Sequence, residues 1–165
     1  MPLANWLGCL AVFSYILTLL PTSLKVVFPS LKKAKLSAQL LKNRRQLGIL
    51  SFLLGVGHAW LLIVKRNFDF FDLTTYRVYV HGSVTFMIFT VLAVTSNDWC
   101  VKKMKPKNWR QLHQLTYLAM FLLFWHINDK MSGNWSFMTP VVVIGMAAII
   151  ILFSRRYFLE WKSKK

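Results

Sequence analysis

Five apolar stretches, at 3–20, 47–64, 78–95, 112–127 and 137–153, decide what this chain can fold into. Each is near the length a helix needs to cross a ~30 Å hydrocarbon layer at ~1.5 Å per residue. Inside such a layer no water pairs with stray backbone groups, so each peptide N–H and C=O must be satisfied within the protein. The pattern predicts an all-α fold, an integral membrane five-helix bundle forming one domain over 1–165. Composition agrees: 56% of the residues are hydrophobic and 16% charged, and mean hydropathy is +0.46, too apolar for a soluble domain of this size.

A formal net charge of +16 raises nucleic acid as a partner, but the distribution of the charge argues against it. Stretches 21–46, 96–111 and 154–165 fall on one side of the bilayer and hold 7, 5 and 5 of the Lys and Arg residues, against four on the other side (Lys65, Arg66, Arg77 and Lys130). Positive residues mark the cytoplasmic side, so the N-terminus is expected outside and the C-terminus in the cytoplasm. No Lys or Arg precedes stretch 3–20, and residues 19–23 lack a small-x-small cleavage pattern, so this stretch is expected to be a span rather than a signal peptide. Pro21 is expected to end the first helix, with 24–42, a mixture of leucines and lysines, lying as an interfacial amphipathic helix. Loop 65–77 interleaves Phe68, Phe70, Phe71 and Tyr76 with Asp69 and Asp72 and is expected to form an interfacial aromatic belt, or a lid on the outer face. Cys9 and Cys100 form no CxxC and, on this topology, no disulfide.

Four histidines lie inside or at the edges of these segments, and an imidazole in lipid is costly unless it binds something. On the expected topology His58, His81 and His126 gather in the outer half and His113 lies in the inner half. Haem suits this set, because two neutral imidazoles on facing helices can clamp a flat, apolar macrocycle. Gly55, Gly57 and Gly82 would let a porphyrin approach a helix backbone, and Trp60, Phe121, Phe124 and Trp125 would wall the rings. Zinc would need a tighter cluster with cysteine or carboxylate help. For any one histidine, and for His81 at the membrane edge above all, a ring bonded to a neighbouring carbonyl is the plainer account. His113 and His126 stand 13 residues apart, about 20 Å along a helix but ~140° apart in azimuth, so the rise fits two stacked haems better than the facing does.

The run Arg44-Arg45-Gln46-Leu47-Gly48, then His58, Thr95-Ser96, Trp109-Arg110-Gln111-Leu112-His113-Gln114-Leu115-Thr116-Tyr117-Leu118 and His126, resembles the ferric reductase-like transmembrane domain superfamily. Within it the chain is most similar to haem-binding membrane subunits of bacterial periplasmic methionine sulfoxide reductase systems. The resemblance covers about half the chain, residues 44–126. It implies a b-type haem protein passing electrons across the membrane, with His58, His113 and His126 at the family's haem positions and His58 paired with His126 on the outer haem. Three departures accompany it. The second span has no inner histidine, so an inner haem at His113 would want another second ligand. His81 stands where those relatives tend to have another residue, and by depth it matches His126 as well as His58 does. A counterpart of the first helix of the sulfoxide reductase subunits is not expected among the five stretches, which leaves the identity of the outer partner open.

These readings give one expected function: electron transfer through at least one haem b, with a second inner haem as the alternative count. A separate cytoplasmic reductase or quinol would be the donor, and a protein, metal or oxygen on the outer side the acceptor. Arg44, Arg45 and Arg110, at the inner edge, would meet haem propionates or the phosphate of a flavin such as FMN, or serve only as positive-inside anchors. A quinone is the other cofactor considered. The competing expectation is a non-catalytic membrane subunit or assembly factor that keeps the fold without redox activity. The membrane itself would be a bacterial plasma membrane or a thylakoid-type one. Asp and Glu total five and none falls within an expected span, which disfavours a proton pump or cation transporter.

Overall fold

The computed structural model describes residues 2–65, 76–131 and 138–163. Among them the chain is all-helical: α1 (Pro2–Val27), a 3-10 turn (Pro29–Lys33), α2 (Lys35–Lys42), α3 (Arg44–Lys65), α4 (Tyr76–Val94), α5 (Asp98–Met104), α6 (Pro106–His113), α7 (Leu115–Met131) and α8 (Thr139–Lys162). Helices α1, α3, α4 and α8 are long and apolar enough to cross a membrane, as an integral membrane protein requires. Helix α7 has 17 residues, the short end of the range for a span.

The long helices close a ring in the order α1, α3, α4, α7, α8. The most extensive contacts join α1 to α3, α4 to α7 and α1 to α8, whereas α3 and α7 are not packed closely on each other. Val12, Tyr15 and Leu19 of α1, Met120 and Ile127 of α7, and Val142, Met146 and Ile149 of α8 form the buried core. Polar ties set the register. Ser51 donates to the Ala11 carbonyl at 2.8 Å, joining α3 to α1, and the buried Tyr15 hydroxyl donates to the Thr116 carbonyl, joining α1 to α7. At the other end of the same pair Lys130 Nζ donates to Asn5 Oδ1 at 2.6 Å. Stacked rings of Phe52 and Phe86, 5.8 Å apart, bridge α3 and α4.

Three expectations need correction. Pro21 does not end the first helix, which runs through it to Val27. Proline forfeits one helical bond, but breaking the helix inside an apolar layer would strand several backbone groups. Segment 24–42 is not one helix: its start belongs to α1, and the remainder divides into the 3-10 turn and α2, with Phe28 and Ala34 non-helical before Pro29 and Lys35. Stretch 112–127 is not continuous either, because α6 ends at His113 and α7 begins at Leu115, with Gln114 between them. The near side of the break is the end of the polar helix α6, and Leu112, so close to the apolar run from Leu115, reads as the start of that run. Asp129 lies in α7, two residues past the expected span, as the sequence count allows. Of loop 65–77, residues 66–75 lie outside the described residues. Cys9 and Cys100 are both free thiols.

Candidate functional site

The expected site residues separate into two groups at opposite ends of the bundle. His58 on α3, His81 on α4 and His126 on α7 lie at the end where α1 begins, where His58 meets Ala4, His126 meets Val78 and His81 meets Asp129 of α7. Arg44, Arg45, Arg110 and His113 lie at the other end, around one cavity.

At the histidine end the rings are held in a consistent way. His58 Nδ1 lies 2.7 Å from the Ala4 carbonyl of α1, and His126 Nδ1 lies 2.9 Å from the Val78 carbonyl of α4. A carbonyl oxygen only accepts, so in both rings Nδ1 carries the proton and the neutral ring keeps its lone pair on Nε2. That is the arrangement in which a histidine is held for a metal: the outward nitrogen is pinned by a hydrogen bond and the other is left to ligate. His81 donates from Nδ1 to Asp129 Oδ2 at 2.7 Å, and its ring stacks 6.3 Å from Trp125. The three rings all direct Nδ1 into protein acceptors.

Glycines make room for two of them. A Cβ on Gly82 would come within 2.9 Å of His126 Cε1, and one on Gly8 within 3.0 Å of His58 Nδ1. Of the three glycines singled out from the sequence, only Gly82 touches a ring; Gly57 meets Leu7, and a Cβ on Gly55 would meet nothing within 4 Å. Gly8 carries no local signal, because the residue it accommodates is 50 positions away. Of the expected wall residues, Trp125 stacks on His81, Phe124 packs against the hydrophobic core, and Trp60 faces outward at 64% exposure.

The other end holds a cavity of about 470 Å³, within the range of small-molecule and cofactor sites. Phe52, Phe89 and Leu92 line its apolar part, and Lys42, Arg44, Arg45 and Arg110 supply cations. Arg45 pairs with Asp98 at 2.8 Å across its rim. His113 is engaged differently from the other three histidines. Its Nε2 lies 3.1 Å from Thr95 Oγ1, whose own proton goes to the Val91 carbonyl at 2.7 Å, so Nε2 of His113 is the donor. Trp109 stacks on the ring at 3.9 Å and donates from Nε1 to the Thr95 carbonyl at 2.8 Å. Helix α6 is thereby fixed to the end of α4 through one residue, Thr95. Among the described residues no group of three or more His, Cys, Asp or Glu side chains could hold a bare metal ion.

Residues 7–124 match the family described as ferric reductase like transmembrane component. The chain belongs to this family. Members with curated names include the protein-methionine-sulfoxide reductase heme-binding subunit MsrQ of Herminiimonas arsenicoxydans, 28% identical over 130 residues, 76% of this chain and 59% of the relative. The subunit of that name from Yersinia enterocolitica is 29% identical over 132 residues, 74% of this chain and 63% of the relative. That of Brucella ovis is 29% identical over 152 residues, 89% of this chain and 64% of the relative. The ferric reductase-like chain thus spans about three fifths of the length of these curated relatives. The match ends at residue 124, two residues short of His126, so that position rests on the geometry around its ring.

Proposed function

We propose that this chain is a membrane haem subunit that carries electrons across a bilayer, with His58 and His126 as the residues that would hold one haem b at the histidine end. The observation that carries the reading is the shared state of the two rings: Nδ1 donates to a backbone carbonyl in each, and Nε2 remains for iron. When bound, the haem supplies the one-electron chemistry. The chain's own residues fix the ligands: Ala4 and Val78 orient the rings, and the helices bearing the two histidines do not pack closely on each other. His81, held by Asp129 and Trp125, supports the site beside them.

The five long helices, α7 included, are proposed to form one domain and to span the bilayer with the basic end in the cytoplasm, the N-terminus outside and α2 at the interface. The cavity at the basic end is proposed as the electron entry, where Arg44, Arg45 and Arg110 would hold propionates of a second haem or the phosphate of a flavin, or a quinol would dock against the apolar part. A second haem there would be ligated through Nδ1 of His113, or through Nε2 after release of Thr95. The printed names of the relatives make a methionine sulfoxide reductase the proposed acceptor class on the outer side.

The test is a dithionite-reduced minus oxidised absorbance spectrum of the detergent-purified chain, with haem counted per protein. A b-type signal is expected in the wild type, lost in His58→Ala and in His126→Ala and retained in His81→Ala. A colourless wild type, expressed with ample haem, would overturn the proposal and leave a non-catalytic subunit.

A further inference from the structure

The element order contains a repetition that the residues do not advertise. Helix α1, two short helical elements and α3 are followed by α4, two short helices and α7. In each half the two long helices pack extensively on each other. In each half the second long helix carries a histidine whose Nδ1 bonds to a carbonyl of the first: His58 to Ala4 and His126 to Val78. In each half the glycine against that ring is four residues after the carbonyl, Gly8 after Ala4 and Gly82 after Val78.

The repeated spacing of four has a physical cause. A helical side chain leans toward the N-terminus and covers the turn before its own Cα. A carbonyl whose regular bond goes to the N–H four residues on keeps a second lone pair, and the side chain of that later residue shields it. Glycine at that later position removes the shield and opens the lone pair to an imidazole, whose Nδ1 sits close to its own backbone, whereas the longer Tyr15 side chain reaches the Thr116 carbonyl past Met120. We infer that Gly8 and Gly82 are matched positioning residues, each setting the tautomer and tilt of its own half's histidine by exposing the carbonyl one turn back. The two halves differ beside the cradle. Where the second has His81 bonded to Asp129, the corresponding Leu7 of the first packs against Gly57. The consequence for an iron between the rings rests on the proposed function, whereas the cradles themselves do not.

The experiment is solid-state 15N NMR of the histidine-labelled full chain in bilayers without haem, with resonances assigned by removing one histidine at a time. The wild type is expected to show Nδ1–H at His58 and His126 and Nε2–H at His113. Gly8→Ala should move the His58 resonances alone and Gly82→Ala those of His126 alone. Gly145→Ala, whose added methyl would meet only the Cδ1 end of Ile16 at 3.1 Å, should move neither. Wild-type rings protonated at Nε2 at either position would overturn the inference even if a glycine variant failed to insert, and so would alanine variants with unmoved signals. A wild type that shows both cradled tautomers here but stays colourless when expressed with ample haem would sink the haem proposal alone.

Discussion

Asp129 matters as a residue because it turns His81 from a lone imidazole at a membrane edge into a bonded one. Both side chains are about three-quarters buried, so an unmet ring N–H there would cost about 1–3 kcal/mol. Asp129→Leu is expected to lower the thermal stability of the detergent-solubilised protein by that amount, and Asp129→Asn, which keeps an acceptor oxygen, by less. A neutral result for Asp129→Leu in a melting experiment would mean that His81 finds another partner. Arg45–Asp98 is a contrasting pair. With side chains 46% and 84% exposed, it is expected to contribute little, and Arg45→Ala should leave the melting temperature close to that of the wild type.

Among the elements, the short helices α5 and α6 are joined at Lys105, the one non-glycine residue with positive φ among the described residues. Asn97 caps α5, its side chain accepting from the Cys100 N–H at 2.7 Å. Lys105, between α5 and α6, has φ 65 and ψ 144, a conformation favourable only to glycine, and it precedes Pro106, which holds ψ extended. Two changes on one connection should therefore act in opposite directions. Asn97→Ala is expected to destabilise by about 1 kcal/mol, and Lys105→Gly to stabilise by a comparable amount. Denaturant titration of both variants checks the signs, and a destabilising Lys105→Gly would show that the backbone is not strained there. Because Trp109 and His113 of α6 both bond to Thr95, loosening this connection should also alter access to the basic cavity.

For the whole molecule, the separation of three histidines at one end from a cation-lined cavity at the other makes orientation the deciding property. The proposed topology puts Cys100, at the start of α5, on the cytoplasmic side and Cys9 within a span. A membrane-impermeant maleimide is expected to label Cys100 in inside-out vesicles and not in right-side-out ones, with Cys9 unlabelled in both. The reverse pattern would invert the direction of electron flow.

Membrane residence, four of the long helices and the family were legible along the chain, because each depends on local runs of apolar residues or on motif residues close in sequence. His58, His81, His113 and His126 stood out as candidates because each lies in or beside an apolar run. Tertiary structure alone decided how those rings are held. The acceptors for His58 and His126 are backbone carbonyls of Ala4 and Val78, and a glycine one turn on opens such a carbonyl only to a ring that packing brings there. Gly8 gains its role only when α1 and α3 pack together. The break at Gln114 and the continuation through Pro21 were equally hidden. Hydropathy reports which residues avoid water, whereas whether a helix bends, stops or continues depends on what its neighbours offer the backbone groups set free.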